Sequence, residues 1–383
     1  MKKTLLLMIA VMSAVMALSA CQKKEEVVIE TTEAETFELP SEIAIEIETE
    51  PETEKETEPV SESEKREVVD GKIRSFLTGE MVPAEQGLRR PIAIMMSNDK
   101  EASPQYGMNR AGVIYEAPVE ANMNRFMSVI EDYDDLERIG SVRSCRTYYT
   151  YFAREWDAIY AHFGQSTFAL PYLNNVDNIN GLEGIGSVAY YRSSDRKAPH
   201  NAYSSGKRLN ESIEKLKYRT EYDEEYENQN GHFKFSKDEV EFDKDLSLEA
   251  YKIYPGYPYN KPWFEYNEED GLYHRFQYGK VHNGDEGPLA VKNVIFQYCP
   301  TATYADTQYL NINLHGEGYG FVFINGRCKP FKSVKDSEFG VTKYYDMDGN
   351  EIELNKGKTW ICIIQTSRFT DTEIYDSNGT KTN

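Results

Sequence analysis

Two arginines flank a serine at the predicted junction between a strand and a helix. Ser144 is the expected N-cap of that helix, and the free N–H groups of a helix N-terminus attract anions. Arg143 and Arg146 beside this positive end oppose the helix dipole, a cost that makes sense if an anion binds there. The guanidinium fork also matches phosphate or carboxylate in bidentate fashion. The segment therefore predicts an anion-binding site, unless both arginines pair with internal carboxylates such as Glu116 or Glu120.

Two histidines extend the candidate site. His162 ends a predicted strand, and His200 precedes a helix whose expected N-cap is Ser205. Ligands of α/β domains bind where strands end, so we expect one cleft to hold both arginines and at least one histidine. Each histidine can equally be a hydrogen-bonded structural residue, and the spacing matches no zinc motif, so no metal or cofactor is predicted. The predicted ligand-binding residues are Arg143, Ser144, Arg146, His162, His200 and Asn201.

Catalysis is the second chemistry to consider. Glu116 and Glu120 lie on one face of a predicted strand, and paired carboxylates can act as general acid and base. They can equally be solvated or paired, for example Glu120 with Arg125. Glu116 and His162 are the weak catalytic candidates, and Ser166 lacks the Gly-x-Ser-x-Gly context of a hydrolase nucleophile. Whether the protein is an enzyme stays open.

The elements that carry these residues alternate between strand and helix in the N-terminal half. Apolar runs predict strands at 91–96, 113–120, 124–130, 136–142 and 158–163, and helices at 145–156 and 205–217. Such alternation predicts a layered α/β domain. We place this domain at residues 85–235, and the charged, turn-rich segment 231–248 is its expected boundary.

The C-terminal half, residues 247–370, has a different sequence pattern. Strand-like runs at 294–296, 320–324 and 360–364 are separated by turn signals such as Asn325-Gly326 and Asp348-Gly349. This half is predicted to be a mostly antiparallel β domain, so the overall fold class is α+β. Its aromatic run could stack on sugar rings or fill the domain: Tyr254, Tyr257, Tyr259, Trp263, Phe264 and Tyr266.

The N-terminus carries the signature of a lipoprotein. Lys2 and Lys3 precede an apolar run, and small residues lead into Cys21. Residues 1–20 are therefore predicted to be a signal peptide and Cys21 the lipid-bearing residue, for example with palmitate. The alternatives are an ordinary signal peptide and a membrane span, for which the run falls short of about 20 residues.

An acidic segment follows at 21–70, with about 18 acidic and five basic side chains and almost no aromatic residues. This composition predicts a disordered tether. The whole chain carries a net charge of −21, and about −10 remains on the folded part, which argues against nucleic-acid binding. The predicted location is the extracytoplasmic face of the cell membrane, through the lipid anchor.

Four cysteines remain besides Cys21, at Cys145, Cys299, Cys328 and Cys362. Outside the cytoplasm they could form disulfides, and they could equally be buried free thiols. The sequence leaves this choice open.

The chain resembles the YerB-like bacterial lipoproteins, whose N- and C-terminal domains are both of unknown function. Its Gly-Ser-Val-Arg-Ser segment is the most specific match, whereas Cys328-Lys329-Pro330-Phe331 departs from the expected small residue followed by tryptophan. The stretches that carry the resemblance are Arg90-Pro91-Ile92-Ala93, Pro104-Gln105-Tyr106-Gly107, Ala111-Gly112-Val113-Ile114-Tyr115-Glu116, Arg125-Phe126, Gly140-Ser141-Val142-Arg143-Ser144-Cys145-Arg146, His162-Phe163-Gly164-Gln165-Ser166, Pro199-His200-Asn201, Tyr273-His274-Arg275, Val281-His282, Lys292-Asn293-Val294, Gly318-Tyr319-Gly320 and Gly357-Lys358-Thr359-Trp360.

The resemblance brings no established reaction, so three functions stay open. The first is a membrane-tethered binding protein for an anionic cell-envelope polymer or a surface protein. The second is an envelope enzyme for a phosphorylated or carboxylated substrate, with the arginines stabilising developing charge. The third is a surface assembly adaptor.

Overall fold

The computed structural model describes residues 66–383, and its largest element is an eleven-stranded sheet. Numbered along the chain, the strands of this central sheet are β1 (Ile92–Ser97), β2 (Val113–Pro118), β3 (Asn124–Ile130), β4 (Ile159–His162), β5 (Asn178–Asn180), β6 (Leu248–Glu249), β7 (Asn293–Cys299), β8 (Gly316–Ile324), β9 (Arg327–Lys335), β10 (Lys343–Tyr345) and β11 (Thr359–Gln365). Their order is β6-β9-β8-β7-β11-β2-β3-β1-β4-β5, with β10 paired to β9.

The strand directions bring many strand ends together at one edge. β7, β11 and β2 are mutually parallel neighbours, and so are β1, β4 and β5. The two groups share a direction because β3 lies antiparallel between β2 and β1. The carboxyl ends of these six strands therefore lie at one edge, called here the carboxyl edge, where β3 and β8 begin. This is the edge at which α/β sheets bind ligands.

Both faces of the central sheet are covered by apolar layers. Helix α1 (Thr147–Arg154) packs Tyr148, Tyr149 and Phe152 on one face. Helix α2 (Gly206–Leu216), with Ser205 as its N-cap, and a second sheet cover the other face. The second sheet has six strands, which are Lys252–Tyr254, Trp263–Asn267, Leu272–Gln277, Lys280–Val281, Ala290–Val291 and Glu373–Tyr375.

The remaining elements are short. Paired strands lie at Lys72–Arg74 with Met81–Pro83, Ile139–Gly140 with Ala202–Ser204 and Tyr191–Arg192, Lys234–Phe235 with Glu353–Leu354, Asn283–Gly284 with Gly287–Pro288, and Thr301–Thr303 with Leu310–Ile312. Short α-helices span Ala84–Gly87, Leu170–Leu173, Gly186–Ala189 and Glu224–Asn228. Turns of 3-10 helix span Lys100–Ala102, Met108–Arg110, Glu120–Asn122, Thr167–Ala169 and Thr366–Asp371.

The predicted α+β fold class is confirmed. The β-strand predictions at 91–96 and 124–130 match β1 and β3, but the predicted strand at 136–142 is reduced to Ile139–Gly140. The C-terminal half is not antiparallel throughout, because β7 pairs in parallel with β11. Pairing that joins segments far apart in the chain leaves no local pattern, so the sequence could not reveal it.

The two-domain division at 85–235 and 247–370 stays a prediction. Both halves contribute to the central sheet, because β11 from the C-terminal half pairs in parallel with β2 from the N-terminal half. The signal peptide, Cys21 and nearly all of the 21–70 tether lie outside the described residues. Within 66–383 no helix has the length and apolar character needed to cross a membrane.

The cysteines of the described chain are free thiols and all are buried: Cys145, Cys299, Cys328 and Cys362. Burial raises the pKa of the Cys145 and Cys328 thiols to about 12, so these groups stay protonated and pack as small apolar side chains. Of the two possibilities that the sequence leaves open, disulfides and buried free thiols, the structure shows buried free thiols.

Candidate functional site

Arg125 lies at the carboxyl edge, one residue after the start of β3 and between the ends of β1 and β2. Its side chain is only 7% exposed. The guanidinium donates one hydrogen bond of 2.6 Å to the carbonyl oxygen of Ser144. Among residues 66–383, no carboxylate forms an ion pair with it. A buried cation without a counter-charge is costly, because burial penalises the charged form unless it is paired.

Two further arginines increase this positive charge. Burial, followed by the charges of Arg146 and Arg143, lowers the pKa of Arg125 to about 10. Burial also lowers the pKa of Arg143, and Arg146 acts in the same direction. The three guanidinium groups therefore form one electrostatic cluster, called here the arginine cluster.

Arg146 is neutralised within the protein. It forms a bidentate ion pair with Glu120, with nitrogen–oxygen distances of 2.6 and 2.7 Å, and donates to the carbonyl oxygen of Cys145 at 2.8 Å. Its guanidinium lies 5.0 Å from the ring centroid of Tyr309. Pairing of Arg146 with Glu120 is one of the alternatives that the sequence leaves open, and Glu120 reaches Arg146 from a 3-10 turn after the end of β2. The other possible pair, Glu120 with Arg125, does not form a direct contact, although the charge of Glu120 still acts on Arg125.

Arg143 is half-buried and keeps a free charge at the same edge. Its guanidinium donates to the carbonyl oxygen of Pro199 at 3.3 Å, and its main chain is fixed between β1 and β4 by hydrogen bonds to Met95 and Phe163. No carboxylate of the described residues pairs with it directly, although Asp99 lies near enough to raise its pKa.

Ser144 does not cap the helix. Its hydroxyl donates to the carbonyl oxygen of Phe163 at 3.0 Å, and α1 begins at Thr147 after Arg146, which makes no side-chain capping bond. The helix starts later than expected because Cys145 is still extended and forms an isolated parallel bridge with Gln165. Free helix N–H groups at Ser144 therefore do not form the site, and the positive charge comes from side chains.

His200 reaches the arginine cluster through Asp99. Its Nδ1 lies 3.6 Å from the Asp99 carboxylate and 3.3 Å from the hydroxyl of Ser97, which itself donates to Asp99 at 2.9 Å. Asp99 lies two residues after the end of β1, and its charge also acts on Arg143. His200 thus borders the same edge as Arg143.

His162 and Asn201 lie elsewhere. His162 is fully buried, with Nδ1 2.9 Å from the carbonyl oxygen of Gly164 and Nε2 3.2 Å from Oδ1 of Asn178, and burial lowers its pKa. Asn201 accepts from Arg192 and donates to the carbonyl oxygen of Ser193 in a hairpin. The structure gives both side chains internal hydrogen-bond partners and does not bring them to the arginine cluster.

The C-terminal half supplies an aromatic border to the site. Tyr259 is 46% exposed, and its ring meets that of Tyr278 edge to face at 6.1 Å. Tyr278 donates to the carbonyl oxygen of Asn98 at 2.7 Å. Burial and the neighbouring charges of Asp99 and Glu101 raise the pKa of Tyr259.

Glu116 lies beneath the edge and is fully buried. Arg275 donates to its Oε2 at 2.6 Å, and Trp360 donates to the same oxygen at 3.3 Å. The side-chain amides of three asparagines donate to Oε1: Asn98 at 3.3 Å, Asn124 at 3.0 Å and Asn260 at 3.0 Å. This arrangement, called here the Glu116 network, joins the two halves of the chain and keeps Glu116 away from solvent.

Sequence reasoning missed Arg125, Asp99 and Tyr259 as members of the edge. The sequence does give one local signal for Arg125, because it follows Asn124 at the start of a predicted strand. In the structure this strand begins beside the ends of two other strands. Among residues 66–383, no three His, Cys, Asp or Glu side chains are grouped as metal ligands would be. Arg125 and Arg143 are the arginines of this edge that form no ion pair within residues 66–383, and Asp99 and His200 lie near Arg143.

Comparisons with known proteins fit this fold. Residues 77–219 match the family described as "Protein of unknown function (DUF3048) N-terminal domain", and residues 253–361 match its C-terminal domain. The chain is 27% identical over 313 residues to "Putative lipoprotein YerB" of Bacillus subtilis (strain 168), covering 76% of this chain and 86% of that protein. The crystal structure of YerB from Bacillus subtilis superposes with a TM-score of 0.68 at 24% identity, covering 79% of this chain and 99% of that one.

Proposed function

Because this chain belongs to the YerB-like lipoprotein family, whose two domains are of unknown function, we propose that it is a membrane-tethered binding protein for an anionic ligand. The ligand is held at the carboxyl edge by Arg125 and Arg143, with His200 beside them. The ligand is part of an anionic polymer of the cell envelope or of a partner protein at the cell surface. Cys21 carries the lipid, and the acidic tether holds the folded part on the extracytoplasmic side.

The observation that carries this proposal is that Arg125, among residues 66–383, has no carboxylate in direct ion-pair contact with it. A structural arginine buried to this extent is normally paired, as Arg275 is with Glu116 and Arg146 is with Glu120. Arg125 forms no such pair: two arginines act on it electrostatically, and the one nearby carboxylate that opposes them, Glu120, forms its ion pair with Arg146. An anion that reaches Arg125 and Arg143 supplies the absent charge in a site of low dielectric, where charge-assisted hydrogen bonds are strongest.

Binding is favoured over catalysis by the state of the candidate acids and bases. Glu116 accepts from five donors inside the protein, and both ring nitrogens of His162 lie beside internal oxygen atoms. A general acid or base must come within about 3 Å of the reacting group, and neither of these side chains faces the edge.

The proposal is tested by calorimetric titration of inorganic phosphate at low ionic strength. We expect one saturable site in the wild type. Arg143→Lys should weaken binding about fivefold or more although the charge is kept, because the bidentate fork is lost. Arg125→Met should abolish binding.

Arg110→Lys is the matched control. Arg110 precedes β2, at the opposite edge of the central sheet, and pairs there with Asp132, Asp135 and Glu286. Its replacement should leave phosphate affinity unchanged. Absence of saturable binding in the wild type, or equal affinities of the wild type and Arg143→Lys, contradicts the proposal.

A further inference from the structure

We propose that the anionic ligand is a carbohydrate, with its charged group on Arg125 and Arg143 and a sugar ring on Tyr259. This inference rests on the proposed function and adds the class of ligand. Two features of the edge carry it: an exposed aromatic ring on an anchored loop, and a carboxylate placed beside the anion site.

Tyr259 is held outwards by its buried neighbours. Tyr257 is 3% exposed and donates to the carbonyl oxygens of Ile363 and Glu116, at 2.7 and 3.0 Å. Asn260 is fully buried and donates to both Glu116 and Gln277. The loop is therefore fixed on both sides of Tyr259, whose large apolar ring stays in contact with water.

A fixed aromatic ring is a good surface for a sugar. The negative face of the ring attracts the slightly positive C–H groups of a pyranose, and little side-chain entropy is lost on binding because the loop is already ordered. The contact with Tyr278 leaves part of the Tyr259 ring open to solvent, since Tyr259 is 46% exposed.

Asp99 is the second feature. Its side chain is 23% exposed, its carboxylate lies 3.6 Å from Nδ1 of His200, and its charge acts on both Arg143 and Tyr259. For a simple inorganic anion, a carboxylate at this place is repulsive. For a sugar it is useful, because an ionised carboxylate accepts strong hydrogen bonds from hydroxyl groups. The combination of arginine, carboxylate and exposed tyrosine thus fits a hydroxylated ring that bears a phosphate or carboxylate.

The test compares three ligands by calorimetric titration of the wild-type chain: inorganic phosphate, glycerol 3-phosphate and glucose 1-phosphate. The last two are both phosphate monoesters with hydroxyl groups, and only glucose 1-phosphate has a ring. We expect glucose 1-phosphate to bind about fivefold more tightly than glycerol 3-phosphate, the gain typical of one aromatic contact.

Variants assign this gain to residues. Tyr259→Ala should remove the preference for glucose 1-phosphate and leave inorganic phosphate unchanged, whereas Tyr259→Phe should keep it. Asp99→Asn should strengthen inorganic phosphate binding and reduce the preference for glucose 1-phosphate, two changes of opposite sign that misfolding cannot produce. Tyr345→Ala, on β10 far along the central sheet from β1, is the control and should change neither affinity.

The outcomes separate the two proposals. Equal affinities for glucose 1-phosphate and glycerol 3-phosphate, or a Tyr259→Ala variant that binds all three ligands as the wild type does, overturn the carbohydrate inference while phosphate binding sustains the anion site. If none of the three ligands binds the wild type, the proposed function itself fails.

Discussion

Two buried arginines allow a direct comparison between an ion-pairing role and a ligand-binding role. Arg275 is fully buried and pairs with Glu116 at 2.6 Å, whereas Arg125 is 7% exposed and has no paired carboxylate among residues 66–383. We expect replacement by methionine, which keeps much of the side-chain volume, to have opposite consequences for stability. Arg275→Met should destabilise the protein strongly, and Arg125→Met should not.

The magnitudes follow from the surroundings. The lowered pKa of Arg125, about 10, means that the fold disfavours its charged form by about 3 kcal/mol. Arg125→Met removes this cost but also the charge-assisted hydrogen bond to Ser144, which contributes about 1.5–3 kcal/mol. The free energy of unfolding should therefore stay level or rise by about 1.5 kcal/mol. Arg275→Met leaves the Glu116 charge buried and uncompensated, so it should lower the free energy of unfolding by about 3–5 kcal/mol.

Urea denaturation at pH 7, in a buffer free of phosphate and other multivalent anions, measures both effects. Adding phosphate should then stabilise the wild type by an amount that grows with the logarithm of phosphate concentration over Kd, and it should leave Arg125→Met unchanged. If Arg125→Met loses as much stability as Arg275→Met, then Arg125 is a structural residue and the argument for an anion site is refuted.

Three more predictions concern other parts of the chain. Burial raises the pKa of Glu131 to about 7, above the value of the unfolded chain, so stability should fall by about 3 kcal/mol between pH 5 and pH 8 as the unfolded carboxyl ionises first. Glu131→Gln should remove this fall in urea denaturation, and an unchanged pH dependence would show that another group is responsible. Proteolytic cleavage within 231–248 should give two fragments that elute together in size-exclusion chromatography, because β11 pairs with β2; separate elution would contradict this. Cys21→Ser should abolish labelling by a radioactive fatty acid and release the protein from membranes, whereas retained label would exclude the lipid anchor.

Local patterns predicted much of the fold. The predicted strand at 124–130 coincides with β3, and the predicted helix at 205–217 differs from α2 by one residue at each end. These elements have a clear apolar period and a capping serine, so their signal is contained in the sequence around them. The helix at α1 was expected too early because Ser144 has the side chain of an N-cap but is used to join β4.

Which charged side chains form ion pairs with each other could not be predicted in the same way. Glu116 and Arg275 are 159 residues apart, and their contact depends on how the second sheet packs on the central one. From the sequence, Glu120 could pair with either Arg125 or Arg146. In the structure the 3-10 turn after β2 directs the Glu120 side chain to Arg146. Arg125 is left without a carboxylate in direct contact, which is the feature on which the proposed function depends.

The Glu116 network and the edge above it are connected through adjacent residues. Asn98 and Asn124 donate to Glu116, while their neighbours Asp99 and Arg125 belong to the candidate site. In each of these two pairs of neighbours, the asparagine side chain contacts the buried carboxylate of Glu116 and the other side chain lies at the edge. The backbone that carries Asp99 and Arg125 is therefore fixed from below by Glu116, whose charge Arg275 compensates from the C-terminal half. A site of this kind is already organised before a ligand arrives, so that binding requires little further ordering of the protein.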